Sequence, residues 1–249
     1  MPIAESLTVA LPAYNEEANI AAMVDEVVRT VTPLVSDWEV VVVDDGSRDG
    51  TSAAVSAIES RDPRVRLVRH EKNRGYGAAV WTGLTSARKG LVFFTDSDRQ
   101  FDVAEIRGLL ERQPDADLVV GYRSPRRDPL PRRINGWAWS SLVNLLFGYT
   151  ARDIDCAFKV MRREVVETLR ESVRSRGATF SAELLVRAKR AGFRIRELPV
   201  RGHRPRVAGS PTGARLSVVL RAFRELAAFR VKLWRERPVP AARPSGPTN

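Results

Sequence analysis

Asp96 and Asp98 stand one residue apart directly after the apolar run 91–94, and Gln100 and Asp102 continue the alternation. Two carboxylates at a strand end can reach one point if the chain bends there. Hard cations such as Mg²⁺ or Mn²⁺ take oxygen ligands and are commonly held by one or two carboxylates together with substrate phosphates. Gln100 offers one more carbonyl oxygen. The same aspartates could instead cap a helix beginning near Val103, a role for which Asp102 is well placed.

Two other polar clusters follow apolar runs in the same way. Tyr14-Asn15-Glu16 comes after the run 7–11, and Asp44-Asp45-Gly46-Ser47 after 40–43. One of Asp44 and Asp45 suits a turn or helix cap; the other could accept a hydrogen bond from a nucleobase N–H. Pro12-Ala13-Tyr14-Asn15-Glu16 occupies the place of a glycine-rich phosphate loop, which argues against a dinucleotide or P-loop site. Gly75-Tyr76-Gly77 is too short to replace one and reads as the opening of a helix close to a sheet.

These clusters need elements that bring them together. The pattern predicts strands over 7–11, 40–43, 65–68, 91–95 and 118–120, and helices over 16–31, to 59, 76–87 and 103–110. Strand–helix alternation predicts a mostly parallel sheet with helices on both faces. In such sheets ligands bind at the carboxyl ends of the strands, where all three clusters fall. Further on, 123–133 reads as a basic, proline-rich loop, 156–161 and 193–200 as strands, 181–191 as a helix, 202–213 as a loop and 216–237 as a helix. On that last helix Leu216, Leu220, Phe223 and Ala227 form an apolar stripe beside arginines. The tail from Pro238 has the composition of a disordered segment.

The chain has 249 residues and a net charge of +11. The excess sits in two places: net +4 over 123–133 and net +8 over 201–237. Localised positive charge implies an anionic partner, whether nucleic acid, anionic lipid or a phosphorylated substrate. A nucleic-acid-binding module would leave the acidic strand ends without a purpose. The single cysteine, Cys156, excludes an internal disulfide and suits a reducing compartment. The N-terminus shows no basic segment followed by an apolar core, so no signal peptide is expected. Residues 134–151 carry no charge, but Asn135, Gly136, Ser140, Ser141, Asn144 and Gly148 interrupt them. A spanning helix needs about 20 predominantly apolar residues. The segment therefore reads as an interfacial or core helix, with Gly136, Ser140, Asn144 and Gly148 on one line.

LPAYNEE, VVVDDGSRDGT, NRGYGAAVWTG and TDSDRQFD, in this order and spacing, resemble the family-two inverting glycosyltransferases of GT-A fold. GYRS, DIDCAFKVMRRE and HRPRVAG are similar to the branch containing dolichol-phosphate mannosyltransferase and other polyprenyl-phosphate hexosyltransferases. The resemblance spans about residues 7–213 and implies an α/β, Rossmann-like catalytic domain over 1–213. A basic amphipathic helix over 214–237 and a disordered tail over 238–249 follow it. It further implies metal-dependent transfer of mannose or glucose from a GDP-mannose- or UDP-glucose-type donor to a polyprenyl phosphate. By position, Pro12, Tyr14, Glu16 and Asp44, with neighbours Ala13, Asn15 and Asp45, would hold the base and ribose. Asp96, Asp98 and Gln100 would hold Mg²⁺ or Mn²⁺ and the diphosphate. Arg123, one of Arg132 or Arg133, and Arg206 would grip the acceptor phosphate, with Ser210 nearby. Arg99 replaces the small residue that many members carry, and Gly209 is followed directly by Ser210, which departs from the usual spacing.

The physical chemistry runs the same way. A phosphate monoester carries about −1.5 to −2 charges at neutral pH, so it needs no base to become a nucleophile. Two anionic reactants then have to be held together, which arginine forks and a cation do. Asp155 is the candidate base if the acceptor is instead a hydroxyl; Asp153 and Asp155 could equally orient Arg123 or Arg206, or pair with Arg152 or Lys159. Glu183 could face the site from its helix. The basic C-terminal helix and the tryptophan-bearing 134–149 segment suit an anionic membrane surface. The expected location is therefore peripheral, on the cytoplasmic face.

Overall fold

The computed structural model describes residues 2–126, 128–177, 179–201 and 216–236, apart from the side chains of Glu5 and of 216–221. His203, Arg206, Ser210, the expected loop over 202–213 and the tail from Pro238 lie outside the described residues.

The elements run β1 (Ala4–Ala13), α1 (Glu17–Val31), β2 (Val35–Asp44), α2 (Thr51–Glu59), β3 (Val65–Arg69), α3 (Tyr76–Thr85), β4 (Leu91–Thr95) and α4 (Ile106–Arg112). They continue with β5 (Leu118–Arg123), α5 (Leu130–Phe147), β6 (Phe158–Arg162), α6 (Arg163–Leu169), α7 (Phe180–Arg190), β7 (Ile195–Val200) and α8 (Leu216–Arg235). The seven strands form one sheet in the order β3-β2-β1-β4-β6-β5-β7. β6 runs antiparallel to both its neighbours; the other pairings are parallel. Helices cover both faces.

The central strands explain themselves. Val40 to Val43 are fully buried, as are Leu7, Val9, Leu11, Phe93 and Phe94. A strand covered on both faces can be apolar at every position, and β-branched side chains fit its pleat. Burying each such side chain contributes roughly 1.5–3 kcal/mol, which holds the sheet centre rigid under the polar strand ends. Register then aligns those ends. Ala13 lies beside Asp44, Ala10 beside Phe94 and Thr95 beside Phe158. Successive crossovers go from β1 outward through β2 to β3, then return to the other side of β1 with β4. The sheet therefore reverses direction between β1 and β4, the place where such folds open a ligand crevice.

Three expectations need correction. Residues 130–133 are not loop but the first turn of α5, with Pro131 at its start. A proline there loses no hydrogen bond and its φ is already helical. The arginine-rich stretch had masked this turn. α6 was not anticipated, since its seven residues give little periodicity. On α8 the inward stripe is Ala222, Leu226, Phe229 and Leu233, while Phe223 and Ala227 are exposed.

Candidate active site

A cleft of about 700 Å³ opens at the carboxyl edge of the sheet, over the reversal between β1 and β4. Its walls come from the three polar clusters: Pro12 to Glu16, Asp45, and Asp96 to Asp98, joined by Asn73, Gly75, Tyr76 and Ala79 from the α3 side. The expected gathering of Pro12, Ala13, Tyr14, Asn15, Glu16, Asp45, Asp96 and Asp98 at one place is thus realised.

The loops are tied to each other rather than left to solvent. Ser97 Oγ donates to the Pro12 carbonyl at 2.7 Å, joining the ends of β4 and β1. Asn15 N donates to Ser47 Oγ, and Glu16 N to Thr51 Oγ1, both at 2.9 Å, joining β1 to the segment after β2. Asn15 and Arg99 adopt left-handed φ values of 55° and 58°, the two non-glycine residues that do so among the described residues. That conformation costs roughly 1–2 kcal/mol for an L-residue and concentrates where a site dictates the backbone. At Arg99 it turns the chain sharply after Asp98. The Arg99 side chain reaches back to Glu26 of α1, with Nε 3.5 Å from its carboxylate.

The structure divides the Asp44–Asp45 pair. Asp44 is fully buried, takes the Ser47 N–H at 2.8 Å and the Ser52 hydroxyl, and does not line the cleft. It is the turn-forming member of the pair. Asp45 lines the cleft; its carboxylate accepts from Arg74 N and Gly75 N, both at 2.9 Å, and faces His70 Nδ1 at 2.6 Å. His70 is held from behind by Thr82 Oγ1 at 2.9 Å from its Nε2. Sequence reasoning missed His70. The available signal was a polar residue closing β3 at the same edge as the other clusters.

Tyr76 was also missed as a site residue, although the helix it opens was expected. Gly75, at φ 97°, and Gly77 flank it and let the turn approach the protein closely. A Cβ on Gly77 would lie 2.6 Å from the Phe180 side chain. Tyr76 is 43% exposed as a residue, yet it hydrogen-bonds Asp96, and desolvation of its hydroxyl with the charges of Asp96, Asp155 and Asp98 holds it well above the usual phenol range.

Asp96 and Asp98 supply the oxygen donors that a hard cation takes, and no group of three or more His, Cys, Asp and Glu suited to a metal occurs among the described residues. Two carboxylates beside an open cleft fit an ion whose other positions are completed by a substrate's phosphates. Asp98 is 4% exposed, and its Oδ1 accepts the Gln100 N–H at 3.1 Å. Gln100 does not line the cleft. Asp102 caps the turn before α4, accepting the Ala104 N–H at 3.0 Å.

Further along the same edge lies a second cluster. Arg123, at the end of β5, forks onto Asp153 with Nε and Nη2 at 2.7 and 2.8 Å, and its Nη1 faces Asp128 at 3.6 Å. Burial pulls the guanidinium down, but the Asp153 hydrogen bonds and charge outweigh it, so Arg123 titrates above its usual range. Arg132 stands 3.7 Å from Asp128; Arg133 is exposed. Asp153 thus orients Arg123, and neither Arg152 nor Lys159 is its partner. Lys159 is fully buried and donates to the carbonyls of Ile154 and Cys156. Asp155 as a residue is exposed, and the shift of its carboxyl reflects the protein groups around it. Burial raises its carboxyl, Asp153 adds to this, Lys159 and Arg123 oppose it, and the result is about 6. Glu183 faces away from the cleft, paired with Arg187 at 2.8 Å.

α5 presents its polar line inward. Ser140 Oγ accepts the Ile154 N–H at 3.3 Å, and Asn144 bonds Ala151 O and Thr150 N at 2.9 and 2.8 Å, which anchors the segment carrying Asp153 and Asp155. Gly136 accommodates the Arg126 guanidinium. The apolar side faces out: Leu130, Ile134, Trp137 and Leu145 lie on one line, Trp137 70% and Leu145 82% exposed.

An open, mostly parallel sheet with a carboxylate-lined cleft at its reversal is the arrangement in which α/β domains bind ligands. Residues 8–170 match the glycosyl transferase family 2 model, and the chain belongs to that family. It is 32% identical over 206 residues to glycosyltransferase AglD of Haloferax volcanii, covering 78% of this chain and 32% of that protein. It is 32% identical over 212 residues to dolichyl-phosphate beta-glucosyltransferase ALG5C of Trichomonas vaginalis, covering 78% of this chain and 62% of that one. The chain thus spans a third to somewhat under two thirds of these relatives. Among solved structures, glucosyl-3-phosphoglycerate synthase of Mycobacterium tuberculosis, in complex with Mn²⁺, uridine diphosphate and phosphoglyceric acid, superposes with a TM-score of 0.67. The identity is 25%, over 92% of this chain and 78% of that one. The GT-A expectation for the fold holds.

Proposed function

We propose that this chain transfers a hexose, mannose or glucose, from a nucleotide diphosphate sugar to a polyprenyl phosphate with inversion at the anomeric carbon. The observation that carries this reading is the pairing, along one sheet edge, of a carboxylate cleft at Asp96 and Asp98 with an arginine cluster at Arg123. The dolichyl-phosphate glucosyltransferase relative and the Mn²⁺- and uridine diphosphate-bound structural relative support it.

In this reading the segment 12–16 and Asp45 hold the base and ribose, with Asp45 fixed by His70 and the turn at 74–75. Asp96 and Asp98 hold Mg²⁺ or Mn²⁺, which when bound supplies charge neutralisation for the departing diphosphate. Arg123, Arg132 or Arg133, and Arg206 receive the acceptor phosphate; Ser210 belongs to the same segment. Asp153 fixes the orientation of the Arg123 fork and keeps it charged at every working pH. Orientation of attacker and anomeric carbon accounts for up to ~7–11 kcal/mol of barrier. The test offers a panel of radiolabelled nucleotide-sugars with polyprenyl phosphate and Mn²⁺. Label entering the organic phase with one donor supports the reading; label that stays aqueous with every donor refutes the acceptor.

The raised carboxyl of Asp155 favours one second reading, transfer to a hydroxyl with Asp155 as base. A base acts deprotonated, so turnover would then climb as pH rises through about 6. Loss of such a base costs roughly 10²–10⁴-fold. With a phosphate acceptor, Asp155→Asn should lower turnover by less than about tenfold, because the nucleophile needs no deprotonation. Initial rates of the variant across pH decide between the two.

The reading includes a peripheral position on the cytoplasmic face of an anionic membrane. No described helix is long and apolar enough to cross one. α5 carries no acidic residue, turns its apolar line outward and bears Arg132 and Arg133; exposed Phe223 of α8 stands beside it, in ring contact with Trp139, and α8 also exposes Trp234. Such a surface suits acyl boundary and anionic headgroups together. Trp137→Ser with Leu145→Ser should weaken binding to phosphatidylglycerol vesicles on the order of a hundredfold, at ~1.5 kcal/mol per side chain. Co-flotation at wild-type levels would exclude this face.

A further inference from the structure

A second cavity, of about 640 Å³, lies on the other side of Gly75 from the donor cleft. Its walls are Arg74, the loop 174–177, and the flank of α8 that carries Glu225 and Lys232. Nothing in the sugar-transfer reading uses it.

Its charge is lopsided. Arg74, Arg174, Arg176 and Lys232 face it, against the carboxylates of Glu183 and Glu225. Both carboxylates are already engaged. Glu183 pairs with Arg187 Nε at 2.8 Å and accepts Arg174 N and Ser175 N at 3.1 and 2.6 Å. Glu225 accepts the Thr179 hydroxyl at 2.7 Å. Arg174 has a surface partner in Glu171 at 3.6 Å, and Lys232 has Glu236 at 3.8 Å, both too distant for a strong pair. Arg176 donates to the carbonyls of Val173 and Ser175, at 3.3 and 3.1 Å, which neutralise nothing. Burial draws its guanidinium below the ordinary range, and the positive charges of Arg74 and Arg174 deepen this against Glu183. Arg74, Arg174 and Lys232 are exposed and Arg176 is half-buried, and like charges gathered around one concavity raise a positive potential that a bound anion would relieve. Arginine forks and an ammonium select phosphate oxygens. The lining has an excess of two positive charges, which a dianion would match.

We propose that this cavity binds a phosphate group of two or more negative charges, a diphosphate or a phosphate monoester, at a site separate from the donor cleft. Such a group can come from a soluble diphosphate or from the headgroup of a phosphomonoester lipid. The proposal does not rest on the sugar-transfer reading.

The test is calorimetric titration of the full chain with inorganic pyrophosphate in the presence of EDTA, which prevents metal-mediated binding at Asp96 and Asp98. Saturable binding is expected, weakened at least tenfold in Arg176→Gln/Lys232→Gln and unchanged in Asp96→Asn/Asp98→Asn. Arg174→Gln, an exposed substitution, provides a milder second variant should the double variant melt early. Absence of saturable binding by the wild type, or its loss in the aspartate variant with retention in the arginine–lysine variant, overturns the proposal. Vesicles containing phosphatidic acid then identify the source. Displacement of pyrophosphate by them, and not by phosphatidylcholine vesicles, assigns a lipid headgroup; pyrophosphate binding without displacement assigns a soluble diphosphate. Failure of the radiolabel panel with pyrophosphate binding intact would refute the transfer reading and leave this site standing.

Discussion

Asp98→Asn is expected to lower turnover by about a thousandfold, equivalent to ~4 kcal/mol of transition-state stabilisation. The substitution is nearly isosteric, and the amide oxygen can still accept the Gln100 N–H that now reaches Asp98 Oδ1 at 3.1 Å. The fold should therefore survive, and the loss should fall on turnover rather than on the melting temperature. What disappears is one negative oxygen donor beside the diphosphate. Wild-type protein treated with a chelator should fail in the same way and recover with Mn²⁺, whereas the variant should recover little. Initial rates with and without added metal, alongside thermal denaturation, measure this. Full turnover in a chelator would remove the metal from the proposed chemistry.

Asp153→Ala carries the largest expected effect on stability. Arg123 and Asp153 form a two-pronged pair at 2.7 and 2.8 Å, with side chains 13% and 9% exposed. Removing one partner from a buried pair costs about 3–5 kcal/mol, chiefly because the other charge loses compensation, and here Asp128 at 3.6 Å replaces only part of it. For a chain of this size that lowers the melting temperature by roughly 6–20 °C. Arg123→Met together with Asp153→Ala should lose less than Asp153→Ala alone, since no orphan charge remains. The pH dependence has a definite sign. Burial raises the Asp153 carboxyl, but hydrogen bonds and charge from Arg123 outweigh it and hold it below the usual value. A depressed carboxylate stabilises the fold above its unfolded pKa, about 3.9, and that contribution is lost as pH falls through the lower folded value. The melting difference between wild type and variant should therefore be constant near neutrality and shrink only below about pH 4.

Much of this molecule could be read without a structure, for a reason that particular segments make clear. The runs at 7–11, 40–43 and 91–95 are short, mostly apolar and rich in β-branched and aromatic residues, a local pattern that suits a doubly covered strand. Each ends in carboxylates or polar side chains, so a parallel sheet had to bring 14–16, 44–45 and 96–98 to one edge. The carboxylate-lined cleft followed from that geometry. The rest did not, because it depends on which distant group each side chain meets. Nothing local distinguishes Asp44 from Asp45; the register beside Ala13 and the path of the turn send one inward to Ser47 and Ser52 and the other to His70 and the cleft. Asp153 had several arginines within reach in sequence, and the adjacency of β5 and β6 selected Arg123. The alternation along α5 shows two dissimilar faces but not which one looks outward. Ser140 and Asn144 found backbone partners in the segment 150–154, so the polar line turned in and the tryptophan line turned out. Likewise α8 buried Ala222, Leu226, Phe229 and Leu233, with Phe229 meeting Phe147 of α5 and Arg187 of α7, a choice made by packing.

The sequence by itself thus determined the strand ends, their acidity and the class of fold, since a repeat of two or of 3.6 residues is written in neighbouring positions. Tertiary structure alone decided the pairings, the outward faces and the second, cationic cavity. Those arise from contacts between residues tens of positions apart, and no local period encodes them.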